Sequence, residues 1–268
     1  MANEVELKKE SNVIPFDASL LLEDAGSAGE NMTTDDMLIP RLKILQSGSD
    51  QVKKSSGAFV KGAEEGVIFD NVSNQFVTGE KGITVVPVSY RKTYIQWTQD
   101  RKFVADHGLD CTALIESCKD DGKGGLLVPD TGEEGKLDAL TLTAEYFVYV
   151  VDEDGGYSPA MISMSRSAIK KSKKWNSMMN RLQIPHPSGK GTLNPAMFWT
   201  AYQITTVPES NENGSWFNWE ISMKFDAKSG GIIQNLDAGK DIYLEAREFK
   251  KKVQSGDINV KSDDDIPF

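Results

Sequence analysis

Histidine and cysteine are almost missing from this chain: two of each in 268 residues, His107 and His186, Cys111 and Cys118. So few ligands exclude most histidine-built metalloenzyme sites. Two cysteines cannot build a disulfide scaffold, so a reducing cytoplasm is expected. Long apolar runs are missing as well. No stretch approaches the roughly 20 residues that span a bilayer, and the opening MANEVELKKE has no apolar signal-peptide centre, so neither membrane nor export is expected. There is no Walker loop, no H-E-x-x-H, no nucleophile elbow, and no carboxylate cluster set among apolar strands. Gly122-Lys123-Gly124-Gly125 and Gly189-Lys190-Gly191-Thr192 lack the spacing of phosphate loops and read as turns. The expectation is a protein without catalytic activity or cofactor.

What is present is enough to fold. Hydrophobic residues make up 39% and charged residues 26%, which supports a sizeable core and excludes global disorder. The net charge of −10 argues against a nucleic-acid partner only while it is averaged. Residues 1–36 hold nine acids and two bases, net −7. Residues 155–208 hold Arg166, Lys170, Lys171, Lys173, Lys174, Arg181 and Lys190 and not one Asp or Glu, so removing that +7 from −10 leaves −17 for the rest. Like charges repel, so such clustering points to an anionic partner.

Along the chain, residues 1–36 read as a flexible acidic arm, residues 37–254 as the folded domain and residues 255–268 as an acidic tail. The first clear strand is Gly82–Trp97, β-branched and aromatic, with Pro87 marking an edge or a bulge. A Gly- and acid-rich stretch follows over about residues 105–140 and reads as a long loop or insertion. Ala144–Val151 and Pro159–Met164 flank the turn Asp152-Glu153-Asp154-Gly155-Gly156 and read as a hairpin. A helix over Ser167–Leu182 leads to a second hairpin, Met197–Val207 and Ser215–Phe225, and a short helix near Glu245–Val253 precedes the tail. Strands, one helix, then strands predict a mainly β protein: an elaborated OB-fold-like antiparallel barrel with a basic helix between hairpins. An α+β sandwich is the competing architecture.

In the helix, Ala168, Trp175, Met179 and Leu182 share one face, and Lys170, Lys173, Lys174 and Arg181 the opposite one, with Lys171 beside the apolar stripe. A solvated helix docked on a sheet is the bland reading. Because no acid within the helix pairs with these lysines, a phosphate-facing surface is the sharper one. On the first strand Tyr90, Lys92 and Tyr94 share a face, with Arg91 and Trp97 on the other. Phe198 and Tyr202 share a strand face, and Trp216 points away from the core row Phe217, Trp219, Ile221. Rings that stack bases beside cations that follow phosphates are what single-stranded nucleic acid requires, although core burial is the commoner fate of any one ring. His107, Cys111 and Cys118 lack the tight pairing of structural zinc ligands and read as a histidine and two free thiols.

The last residues, Asp263-Asp264-Asp265-Ile266-Pro267-Phe268, place two large apolar side chains after an acidic run. A pocket rimmed by Arg or Lys would hold the Phe268 ring and its carboxylate. This hexapeptide resembles the acidic tip of bacterial single-stranded DNA-binding proteins, and the layout of β domain, basic helix and acidic tail is similar to the divergent phage members of that class. The resemblance implies an OB-fold core covering single-stranded DNA, and a tip that recruits replication, recombination and repair enzymes in the bacterial cytoplasm. A strand-annealing or mediator protein, and an adaptor that mimics the tip without binding DNA, are the alternatives. Homo-oligomerisation is left open.

Overall fold

In a computed structural model of the chain, the described residues are 38–99, 102–122, 125–129, 137–212, 214–226 and 228–256. The readings of the acidic arm and of the terminal hexapeptide lie outside them. The architecture is organised by one long antiparallel ladder. Strand β4 (Ile83–Trp97) pairs with β8 (Asp138–Val151) from Thr84 opposite Val151 to Trp97 opposite Ala139. β8 turns through residues 152–156 into β9 (Tyr157–Ser165), as the Asp-Gly-Gly turn predicts. A 3-10 turn, Arg166–Ala168, leads into helix α2 (Ile169–Arg181), and the chain returns as the hairpin β12 (Tyr202–Asn211) and β13 (Gly214–Met223). β12 comes back to β4 by pairing Tyr202–Ile204 with Val85–Ile83. A three-strand meander, a helix and a hairpin that returns to the first strand is OB-type connectivity.

The residues before β4 extend this sheet beyond β9. Strand β1 (Arg41–Ile44) lies parallel to β9 and carries β2 (Ile68–Asp70) and β3 (Phe76–Val77). The sheet therefore runs β13-β12-β4-β8-β9-β1-β2-β3, with one parallel pairing, and curls into a half-barrel. Side chains tie its two ends. Gln46, just after β1, accepts from Phe217 N at 2.8 Å and donates to Phe217 O at 2.9 Å, standing in for a strand. Thr206 Oγ1 donates to Gly66 O at 2.5 Å. Gly79 passes against this junction, and a Cβ there would strike Thr206 Oγ1 and Gly66 O, which is why no larger residue fits.

Each face of the sheet carries a core. The inner core gathers Val85, Tyr146, Val148, Ile162, Met164, Ile204 and Ile221 around Trp175 of α2. On the outer face Val86, Val88, Phe147 and Met161 meet Phe198, Ile232, Ile242, Ala246 and Phe249. Ile232 belongs to α3 (Gly231–Asn235), and Ile242, Ala246 and Phe249 belong to α4 (Gly239–Ser255). This double burial explains why Tyr146–Val150 is apolar without alternation.

The register of β4 shifts between Pro87 and Ser89, a bulge at the residue that has no N–H to give the ladder. Before it Ile83 and Val85 face inward, and after it Tyr90 does. The extra residue is what turns Tyr90, Lys92 and Tyr94 to the inner face; without it they would share the outer face of Val86 and Val88.

Three expectations are corrected. The stretch around 105–140 is not one long loop: it carries β5 (Phe103–Asp106), α1 (Thr112–Ser117), β6 (Lys119–Asp120) and β7 (Leu126–Val128), because the overhanging end of the β4–β8 ladder offers both edges for pairing. Residues Met197–Trp199 form a 3-10 turn rather than strand, so Phe198 enters the outer core and Tyr202 the inner one. The last helix starts at Gly239, since Ile242 and Ala246 are needed to cover the sheet. Among the described residues no helix is long and apolar enough to cross a membrane.

Trp175 is 0% exposed and stacks on Tyr146 with ring centroids 4.2 Å apart. Trp175→Ala should cost about 3–5 kcal/mol in urea unfolding, whereas exposed Lys173→Gln should stay within about 0.5 kcal/mol.

Candidate nucleic-acid interface

Helix α2 is held on the sheet by its apolar stripe and by one polar cluster. The Tyr146 hydroxyl bonds Ser172 Oγ at 2.8 Å and donates to Asn176 Oδ1 at 2.9 Å. Asn194 ties down the other end of the helix by donating to the carbonyls of Asn180 and Leu182 at 2.7 and 3.1 Å. With Trp175 turned inward, helical geometry sends Lys170, Lys173, Lys174 and Arg181 to solvent, and all four are exposed. Lys190 is exposed on the turn of a separate two-stranded hairpin, β10 (Ile184–Pro185) and β11 (Thr192–Leu193).

The cations do not all face open water. Lys171 Nζ lies 3.0 Å from Glu209 and 2.9 Å from Glu220, and Lys174 Nζ lies 2.7 Å from Glu220. Arg166, in the left-handed region with φ 48°, pairs with Asp121 at 3.0 Å. The acids that the helix lacks are supplied by the β12–β13 hairpin and by the loop after β6. Among the described residues, Lys170, Lys173, Arg181 and Lys190 have no acidic partner within ion-pair distance.

Hydrogen bonds from Lys174 and then Lys171 hold the Glu220 carboxyl below the ordinary carboxylate range. Partial burial pushes Glu209 upward, but hydrogen bonds from Asn218 and Lys171 outweigh it and hold this carboxyl low as well. Burial alone would lower Lys171; Glu220 and Glu209 overcome it and raise its pKa.

The aromatic candidates divide. Tyr90, Lys92 and Tyr94 are half-buried on the inner face of β4, with Tyr90 5.0 Å from the Tyr146 ring. Trp216 is half-buried on β13, opposite Glu209. Tyr202 and Trp97 are corrections. Tyr202 is 0% exposed with its ring 5.6 Å from Trp175, and Trp97 is 5% exposed against Phe103 at 5.8 Å, so neither offers a face to a base. Arg91 is exposed but already engaged: it donates to the fully buried Glu145 at 2.6 Å, meets Asp106 at 3.3 Å and lies 5.9 Å from the Phe147 ring centre. Its charge serves to balance Glu145, which also takes Arg41 at 3.3 Å.

His107 Nε2 bonds Gln96 Oε1 at 2.8 Å, and Cys111 and Cys118 flank α1 as free thiols. Among the described residues no cluster of three or more His, Cys, Asp or Glu is placed to hold a metal ion.

One set of cations escaped the sequence reading. Lys240, Arg247, Lys251 and Lys252 are exposed on α4, and Lys251 pairs with Glu248 at 2.7 Å. The run Arg247 to Lys252 was the available signal, although cations are ordinary in a last helical turn, where they meet the carbonyl end of the dipole.

A mainly β half-barrel of OB-type connectivity, with a basic helix docked over its inner face, is the class of protein these features define. The chain belongs to the Pam3 phage gp34-like protein family, whose model matches residues 8–259, and is a phage protein. No curated protein and no solved structure matches it.

Because Glu209 and Glu220 sit below their ordinary range in the folded chain, the stability they contribute is complete above that range and is lost as pH falls through the depressed folded values. Melting temperatures between about pH 6 and pH 3 should fall less steeply for Glu209→Gln/Glu220→Gln than for the wild type.

Proposed function

We propose that this phage protein binds single-stranded DNA with little sequence preference and recruits partner proteins through Asp263–Phe268. The observation that carries the binding reading is the solvent face of α2. Lys170, Lys173 and Arg181 stand on one side of a helix whose other side is fixed by Trp175. Cations held in a row on a rigid element release counterions when they meet a phosphate chain. The open part of the inner face of β4, with Tyr90, Lys92 and Tyr94, supplies rings and a cation beyond the barrel mouth, the pairing that single strands use. OB-type connectivity is compatible with this reading without carrying it. The recruiting role rests on the hexapeptide and its resemblance to the single-stranded DNA-binding class, and the double arginine anchoring of Glu145 has no part in it.

The test is a fluorescence titration with poly-dT and with duplex of equal length at two salt concentrations. Binding should be confined to the single strand and should weaken with salt. Lys170→Gln/Lys173→Gln/Arg181→Gln should flatten the plot of log K against log salt by about 2, from about 0.7 per phosphate contact. Tyr94→Ala should lose about 1–3 kcal/mol of binding. Equal affinity for duplex, or no binding at low salt, rejects the proposal; in the second case the hexapeptide belongs to an adaptor.

A further inference from the structure

The acids that neutralise the basic segment come from other elements, and they meet it from two sides. Glu220 bridges Lys171 and Lys174, while Glu209 holds Lys171 and is itself positioned by Asn218, whose Nδ2 donates to Glu209 Oε2 at 2.7 Å. Asn218 is buried, and its backbone is locked in the β12–β13 ladder opposite Val207. The two carboxylates are therefore preset on a rigid hairpin. By strand alternation, Trp216, Asn218 and Glu220 share the face of β13 opposite the core residues Trp219 and Ile221, and Glu209 joins them across the ladder from Trp216. Trp216, Lys171 and Lys174 thus form a strip with the chemistry of a single-strand site, a ring beside two cations, and two carboxylates occupy it.

We infer that Glu209 and Glu220 are a built-in competitor for this strip, an autoinhibitory contact that limits an incoming polyanion to the unpaired cations until phosphates displace the carboxylates. The inference rests on the single-stranded DNA reading and adds regulation to it. The exchange is electrostatically balanced: each lysine trades a carboxylate for a phosphate, and Glu209 and Glu220, both partly exposed, return to water. Because both groups of the trade are anions, the exchange releases fewer counterions than binding at a bare lysine, so the competitor flattens the salt dependence as well as lowering affinity.

The test is a cycle of four full-length proteins: wild type, Glu209→Gln/Glu220→Gln, Lys171→Gln/Lys174→Gln, and the combination. Each is titrated with poly-dT across a salt series and eluted from immobilised heparin as a sequence-free polyanion. Removing the carboxylates should steepen the log K against log salt slope by about 1.4, two phosphate contacts at about 0.7 each, and should move heparin elution to higher salt. In the combined variant both gains should vanish, which separates a local exchange from the change in net charge. Gains that persist without Lys171 and Lys174, or an unchanged slope and elution in Glu209→Gln/Glu220→Gln, overturn the inference. A shift on heparin with no poly-dT binding by any variant would uphold the competitor and remove the single-stranded DNA reading.

Discussion

The stacking of Trp175 on Tyr146 is the contact on which the rest of the arrangement depends. With centroids 4.2 Å apart and Tyr202 meeting the indole edge-on at 5.6 Å, it fills the mouth of the half-barrel and fixes the rotation of α2 about its own axis. The helical repeat then leaves no freedom for the other side chains. Lys170, Lys173 and Arg181 must face solvent, and Lys171 and Lys174 must reach the β12–β13 hairpin. Packing and charge display are one constraint: the residue that completes the core also aims the cations.

A second constraint removes the alternative surface. Barrels of this connectivity commonly bind chains across the outer face of the second and third strands. Here that face, on β8 and β9, carries Phe147, Tyr149 and Met161, which are buried beneath α4. Tyr157, at the start of β9, adds a polar tie by donating to Glu245 at 2.8 Å. What remains open is the inner face of β4 past the bulge, together with the exposed side of α2. The bulge at Pro87–Ser89 decides this, since it turns Tyr90, Lys92 and Tyr94 to the inner face.

Elements set by local pattern were legible in the sequence. The β-branched run of β4, the Asp-Gly-Gly turn between β8 and β9, and the apolar stripe of α2 all depend on neighbours within a few residues. What stayed open or escaped is non-local. Ile39–Leu45 allows helix or strand, because β1 is four residues long and is defined by a parallel partner, β9, far along the chain. Phe198 and Tyr202 look like one strand face until a 3-10 turn separates them into two cores. The candidate site divides along the same line. The absence of acids from residues 155–208 is plain in the sequence, but the carboxylates that meet it, Asp121, Glu209 and Glu220, lie outside that window and are brought in by folding. Arg91 is exposed, as its sequence context suggests, but nothing nearby in sequence announces that it will also meet the buried Glu145.

A single strand bound as proposed runs over α2 and the inner face of β4 rather than over α4. Photo-crosslinking with a bromodeoxyuridine-substituted single strand, followed by peptide mapping, tests it most directly. Adducts at Tyr90 or Tyr94 and within the 166–181 segment are expected. Adducts confined to α4, between Lys240 and Lys252, would contradict it.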